Sequence, residues 1–330
     1  MDALALPPAV DAALAALTRA LGTLEGWLSS PWLGLAWLGY VLVLAAWIIR
    51  QRREPVATLA WLLALAWLPV LGWAVYWWLG PQRIHRRKLK RLRARLALAA
   101  ARLPPCGDPS EEGQERLIEA ATGHAPTRAT AIDLLTGGER TFDALFEAIE
   151  AARESVHLEY YIYEPDSVGT HLRDLLAERA RAGVQVRLLI DGLGSRRCSP
   201  RFLQPLREAG AEVAWFHPLK LGHVLWRPTL NLRTHRKIAV IDGRTGFTGG
   251  VNISDTQSER ASAAAFHDLH LRMEGEVVRA LQLAFAEDWH YATGRTFSDA
   301  MHWPPLPIGD VRCQLVPSGP DNPLAPIHRV

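Results

Sequence analysis

Residues 235–252 of the 330-residue chain read HRKIAVIDGRTGFTGGVN. His235 and Lys237 are two residues apart at the head of the apolar run 238–241, so a strand places both side chains on the same face. An imidazole and an ammonium group side by side form a phosphate site, because the lysine holds anionic oxygens while a neutral histidine can attack phosphorus. The stretch therefore predicts a phosphate site with His235 as the nucleophile.

The remainder of this stretch and the residues just after it suggest supporting roles. Asp242 has the opposite parity to His235 and opens an Asp-Gly turn, so we expect it to shape the loop more than to contact substrate. Gly249-Gly250 lets the backbone pass closely. Asn252, and with it Ser254, is then placed to donate hydrogen bonds to the phosphoryl group.

A nucleophilic histidine needs a partner on its second ring nitrogen, which fixes the tautomer and stabilises the charge formed during attack. Asp268, in the strand-like segment 267–272, is the best candidate, although an ordinary edge-strand aspartate fits the sequence equally well. Glu159 and Asp191 lie at or near predicted strands, and we interpret both as structural.

Strands alternate with helices from about residue 125 onward, which predicts an α/β fold with a mixed sheet. The continuous apolar strands further predict a sheet covered on both faces. The predicted strands are Ala131–Leu135, Val156–Tyr163, Val184–Ile190, Glu212–Trp215 and Lys237–Ile241, and the predicted helices are Glu139–Arg153, Gly169–Ala182 and Pro200–Ala209.

The N-terminal region has the pattern of a membrane hairpin. Residues 27–49 and 55–82 carry no charge, and the Arg-rich turn 50–54 separates them. Each run is long enough for a helix that spans a bilayer core of ~30 Å. A buried hairpin in a soluble core is the alternative, but runs of this length around an Arg-rich turn disfavour it.

A basic run follows the hairpin and predicts its orientation. The run holds Arg83, Arg86, Arg87, Lys88, Lys90, Arg91, Arg93 and Arg95. Because it outweighs the short Arg50–Arg53 loop, the chain after Gly80 is predicted to be cytoplasmic, with the run against anionic lipid headgroups. A solvated charged helix is the alternative for the run itself.

The composition agrees with a chain that has membrane segments and a soluble part, since 49% of its residues are apolar and 22% are charged. Its three cysteines are far apart and support neither a disulfide framework nor a zinc site. The predicted domains are an N-terminal segment (1–26), the hairpin (27–82), a basic helix and linker (83–124), a catalytic half (125–295), and a linker with the start of a second half (296–330).

The chain resembles the phospholipase D superfamily, whose signature is the His/Lys/Asp string, and within it the bacterial cardiolipin synthases. Further stretches that carry the resemblance are REPVATLAW (53–61), VHLEYYI (156–162), DGLGS (191–195), GFTGGVNI (246–253) and FAEDW (285–289). Where the family usually has Trp-Arg-Asp, this chain has Phe266-His267-Asp268, so the pairing aspartate is retained while substrate contacts in that loop are in question.

The resemblance implies a phosphatidyltransferase of the inner membrane, multi-pass, that needs no metal or other cofactor. It implies transfer of a phosphatidyl group between phosphatidylglycerol molecules through a phosphohistidine on His235. Lys237 and Asn252 would bind the phosphate, and Asp268 would orient His235. The implied partners are phosphatidylglycerol and anionic membrane lipids, and no nucleic acid.

Members of the family have two such motifs, and the second histidine protonates the leaving alcohol. This sequence contains a single His-x-Lys, and Val311–Val316 followed by Pro317-Ser318-Gly319-Pro320 resembles the opening strand and turn of a second half. We therefore expect an incomplete synthase, with a homodimer or a second-half chain as the possible partner. A phospholipase D-type phosphodiesterase and a catalytically inactive membrane remnant are the alternative functions.

Overall fold

The computed structural model describes residues 31–49, 59–63, 113–122, 124–217, 234–295 and 302–317. The chain divides into two units, Met1–Gly80 and Pro81–Val330. In the first unit, helix α1 spans Pro31–Ile49 and residues 59–63 are helical. Leu44, Trp61 and Leu62 are partly buried apolar residues of this unit.

The predicted hairpin remains a prediction. Within the described ranges, neither α1 nor any other helix combines the length and hydropathy that a bilayer span requires. Most of the second predicted span, 55–82, lies outside the described residues, as does the basic run 83–95.

The second unit is an α/β fold around one mixed sheet of eight strands, as the sequence predicts. Its strands are β1 (Thr127–Thr136), β2 (Ser155–Tyr160), β3 (Gln185–Asp191), β4 (Glu212–Phe216), β5 (Ile238–Ile241), β6 (Thr245–Gly249), β7 (Leu269–Gly275) and β8 (Val311–Cys313). They lie in the order β4-β3-β2-β5-β6-β7-β1-β8. The neighbours β2, β3 and β4 are parallel to one another, and every other pair is antiparallel.

Helices cover both faces of this sheet. The described helices of the unit are α2 (Gly113–Thr122), α3 (Gly138–Glu150), α4 (Ser167–Arg181), α5 (Gln204–Glu208) and α6 (Val277–Thr293). One apolar core joins the sheet to α3, α4 and α5 through side chains such as Leu145, Leu172 and Leu206. A second core on the opposite face joins it to α6 through Leu281, Phe285 and Trp289.

The predicted elements are present, and two of them end or begin at other residues than predicted. The strand predicted over Val156–Tyr163 stops at Tyr160, and the next helix then begins at an N-cap, where the Asp166 carboxylate accepts a hydrogen bond from the Gly169 N–H at 3.0 Å. The helix predicted over Pro200–Ala209 is shorter, spanning Gln204–Glu208 after turns at the preceding residues.

The strand predicted to open a second half has a place in this sheet. Residues Val311–Cys313 pair antiparallel with β1, with Thr127 opposite Cys313 and Ala129 opposite Val311. The segment is thus the eighth strand of the sheet in this chain. Its assignment to a separate half remains a prediction, and the turn 318–320 lies outside the described residues.

Candidate active site

The candidate nucleophile lies where the chain enters β5. The imidazole of His235 is exposed and stacks on the ring of Tyr161, with 3.9 Å between centroids and 19° between planes. The Lys237 ammonium donates a hydrogen bond to the His235 carbonyl oxygen at 3.0 Å and lies 5.8 Å from the Tyr161 ring centroid. The structure therefore brings His235 and Lys237 together around Tyr161.

Tyr161 has a fixed position, although the sequence assigns it no role. A side chain at Gly194 would place its Cβ 2.2 Å from the Tyr161 carbonyl oxygen and 2.9 Å from its ring, so only glycine fits there. The Ser195 hydroxyl also donates to that carbonyl at 3.0 Å. The turn after β3 thus holds the ring against which His235 lies.

Lys237, Gly249 and His270 form one row across β5, β6 and β7. Ile238 pairs with Thr248 and Gly249 pairs with His270, which places all three residues on the same face of the sheet. A Cβ on Gly249 would lie 2.7 Å from the His270 Nδ1 atom. The glycine is therefore needed for the imidazole to lie across the row.

His270 is a buried member of the site that the sequence analysis did not assign. Burial lowers its pKa to about 4, with Lys237 acting in the same direction and Asp268 opposing. Its ring is therefore neutral near pH 7, and among the described residues neither ring nitrogen has a hydrogen-bond partner. Its alternation with Asp268 in the segment 267–272 was the available signal.

Asp268 lies beside Lys237 and His270. Burial lowers the pKa of Lys237, and the Asp268 carboxylate opposes this shift. The Asp268 Oδ1 atom accepts the N–H of Leu269 at 2.8 Å, and a Cβ on Gly250 would lie 1.8 Å from that same atom. Among the hydrogen bonds of the described residues, none joins Asp268 to His235. The role of Asp268 in orienting His235 remains a prediction.

Asn252 and Ser254 are both buried and hydrogen-bonded within the protein. The Asn252 side-chain oxygen accepts the N–H of Ile162 at 3.1 Å, and its amide nitrogen lies 3.5 Å from the carbonyl oxygen of Gly250. The Ser254 hydroxyl accepts the N–H of Thr256 at 3.2 Å and caps a short 3₁₀ helix. Their predicted contacts with phosphate thus remain predictions, and Ser254 has a structural contact of its own.

Asp242 connects the β5–β6 turn to the start of β2. Its two carboxylate oxygens accept the backbone N–H groups of Arg153, Glu154 and Ser155 at 2.8 to 2.9 Å. Its φ of 51° is left-handed, a conformation that Asn and Asp adopt more readily than most residues. These are the contacts of a side chain that shapes a loop.

Replacing Asp242 with Ala is expected to lower the melting temperature of the chain by about 5 to 10 °C, because three N–H groups lose their acceptor and the left-handed backbone becomes strained. Asp242→Asn retains one side-chain oxygen and tolerates the backbone, so its loss is smaller. Thermal unfolding in detergent measures the shift, and Asp133→Ala on an exposed position of β1 is the control. Equal melting temperatures for Asp242→Ala and wild type would contradict this role.

Two known protein families match parts of the chain. The family described as "Cardiolipin synthase, PLD-like domain" matches residues 145–289, which include β2 to β7 and the His235 site. The family described as "Phospholipase_D-nuclease N-terminal" matches residues 40–81. A solved phosphatidylserine synthase from Haemophilus influenzae aligns with 64% of this chain and 45% of its own, at 15% identity and a TM-score of 0.41.

The relatives define the family more closely. Cardiolipin synthase 1 of Bacillus anthracis is 37% identical over 310 residues, covering 88% of this chain and 60% of the relative. The major cardiolipin synthase ClsA of Bacillus subtilis strain 168 is 36% identical over 314 residues, covering 89% of this chain and 64% of the relative. The chain therefore belongs to the bacterial cardiolipin synthase family of the phospholipase D superfamily, and it spans about 60% of the length of these relatives.

Proposed function

We propose that the chain is a cardiolipin synthase-like phosphatidyltransferase in which His235 forms a phosphohistidine intermediate. The observation that carries the proposal is the shared placement of His235 and Lys237 around Tyr161, with the exposed imidazole on one side of the site. The relatives' names, cardiolipin synthase, supply the reaction class.

In the proposed reaction, the neutral His235 imidazole attacks phosphorus of one phosphatidylglycerol while Lys237 stabilises the charge on the phosphoryl oxygens. The P–N bond forms as the P–O bond to glycerol breaks, and glycerol leaves with a proton. The hydroxyl of a second phosphatidylglycerol then attacks the phosphohistidine, loses its proton and forms cardiolipin. His235 returns to its starting state, so the cycle is balanced.

The reaction also requires an acid that protonates the leaving glycerol. The sequence holds one His-x-Lys motif, and His270, the nearest buried imidazole of the site, has a pKa of about 4 and is neutral near pH 7. We propose that a complete reaction requires a second His-x-Lys motif, from a second half or from another copy of the chain.

Transfer to water in place of lipid would make the protein a phosphodiesterase, and the products separate the two functions. The test supplies vesicles of radiolabelled phosphatidylglycerol to the chain and resolves the lipids chromatographically. Cardiolipin as the main labelled product supports the transferase, whereas phosphatidic acid alone would replace it with the phosphodiesterase. A chain with no reaction on any phosphodiester would be the inactive remnant.

We further propose that residues 27–82 anchor the chain in the inner membrane as a two-span hairpin, with the catalytic unit cytoplasmic. The uncharged runs on either side of the Arg-rich turn support this proposal. The chain is expected to stay in the membrane pellet after carbonate extraction, and a reporter fused after Gly80 is expected to read as cytoplasmic. Recovery in the supernatant would contradict the anchor, and a periplasmic reporter signal would contradict the orientation.

A further inference from the structure

The residues that enter β5 alternate between two environments. His235 and Lys237 lie on the face of the candidate site, and Thr234 and Arg236 lie on the opposite face, where α6 packs. The Thr234 hydroxyl donates to the Glu159 carboxyl oxygen Oε1 at 2.7 Å. The Arg236 guanidinium forms an ion pair with Asp288 of α6. His235 and Lys237 are thus each adjacent in sequence to a residue whose side chain is bonded on the opposite face.

Two carboxyl groups and one guanidinium group lie close together on this opposite face. Glu159 of β2 and Asp288 of α6 have no exposed surface. Burial raises the pKa of Glu159 well above 4.5, and Asp288 raises it further, while Arg236 and Thr234 oppose the shift. Burial alone would lower the pKa of Arg236, but Asp288, Glu159 and the neighbouring Glu287 raise it. These shifts favour the charged form of Arg236 and the protonated form of Glu159.

Ionisation of Glu159 would place a negative charge next to Asp288. The Asp288 carboxylate, which raises the pKa of Glu159, would then lie beside a second buried anion, and two like charges in contact disfavour ionisation of both. The protonated form of Glu159 is therefore the form that this buried geometry favours.

We propose that Glu159, Asp288 and Arg236 form a positioning cluster that fixes residues 234–238 and thereby aims His235 and Lys237 at one phosphate. This inference rests on the proposed function only for the phosphate that His235 and Lys237 would bind. Its members act from the opposite face of the sheet: Glu159 acts through Thr234, and Asp288 acts through Arg236. The cluster therefore assigns a role to Glu159, which the sequence alone indicates as structural.

The test compares Glu159→Gln, which copies the neutral carboxyl, with Glu159→Ala and Asp288→Asn. Hydrogen exchange followed by mass spectrometry on the full chain in detergent reports the peptide that covers residues 234–241. Exchange is expected to rise about tenfold in Glu159→Ala and Asp288→Asn and to stay near wild type in Glu159→Gln. Glu154→Gln, an exposed glutamate just before the same strand, is the matched control.

Infrared spectroscopy tests the protonation directly. Above pH 4.5 the wild type is expected to show the carbonyl band of a carboxyl group that stays protonated, and Glu159→Gln is expected to lose this band. Because the folded pKa of Glu159 lies above its unfolded value, its stabilising effect is lost as pH rises through the folded pKa. The melting temperature should therefore fall more in wild type than in Glu159→Gln as pH rises from 4.5 upward.

Function provides a second, separable readout. With an activated substrate such as phosphatidyl-p-nitrophenol, Glu159→Ala is expected to release nitrophenolate about 100-fold more slowly than wild type, and Glu159→Gln to restore the rate. Wild-type exchange and a wild-type rate in Glu159→Ala would overturn the cluster. If the wild type releases no nitrophenolate but the variants differ from it in hydrogen exchange as expected, the cluster stands and the proposed function is overturned.

Discussion

Replacing His235 with Ala is expected to abolish nitrophenolate release from phosphatidyl-p-nitrophenol, by a factor on the order of 1,000 or more, because the attacking atom is removed. This substrate has a weakly basic leaving group and needs no acid, so it isolates the first chemical step in a chain with one motif. A stopped assay should show up to one nitrophenolate released rapidly per chain in the wild type, before the slower second step.

Lys237→Ala should slow the same release by about 100-fold, since a cation that holds the phosphoryl oxygens acts mainly on the transition state. Lys237→Arg should recover part of the rate because the charge is kept. His171→Ala, an exposed histidine on α4, is the control for the loss of an imidazole elsewhere. Undiminished release by His235→Ala would show that another residue is the nucleophile.

The 330-residue chain by itself is expected to make little or no cardiolipin from phosphatidylglycerol. Glyceroxide is a poor leaving group unless a positioned acid protonates it, an effect typically of ~100 to 10,000-fold. His270, a buried imidazole of the described site, has a pKa of about 4, so it is neutral near pH 7 and is then too weak an acid to protonate the leaving glyceroxide. The ratio of the rate with phosphatidyl-p-nitrophenol to the rate with phosphatidylglycerol should therefore be far larger in this chain than in a synthase with two motifs.

The measurement reconstitutes the purified chain in vesicles with radiolabelled phosphatidylglycerol and follows cardiolipin and free glycerol over time. Doubling the density of the chain in the vesicles tests whether two copies supply the missing group, since a dimer-dependent rate rises faster than the amount of protein. Robust cardiolipin formation that is strictly proportional to the chain would contradict the requirement for a second motif.

The sequence was sufficient to predict the parts of the fold that depend on local pattern. Period-2 parity places His235 and Lys237 together, and the apolar runs 184–190 and 238–241 identify central strands. The alternation of strands and helices predicts the α/β class and the mixed sheet, which the structure confirms. These features arise from neighbouring residues, so a single sequence contains them.

Contacts between distant segments could not be derived in the same way. Tyr161 meets His235 only because β2 pairs with β5, and Glu159 meets Asp288 only because α6 packs on the sheet. The register across β6 places His270 beside Gly249 in the Lys237 row, and Asp268 comes next to Lys237 through the same arrangement. Spacing along the chain suggests Asp268 as a partner of His235, but it does not determine whether the carboxylate approaches His235 or Lys237.

The most direct test of the central claim is isolation of the phosphatidyl group on His235. The chain is incubated with phosphatidyl-p-nitrophenol labelled at phosphorus, quenched at alkaline pH, digested and mapped by mass spectrometry. We predict an acid-labile label on the peptide that contains His235, absent from His235→Ala and reduced in Lys237→Ala. A stable label on any other residue, or rapid nitrophenolate release with no labelled peptide, would contradict a phosphohistidine mechanism at His235.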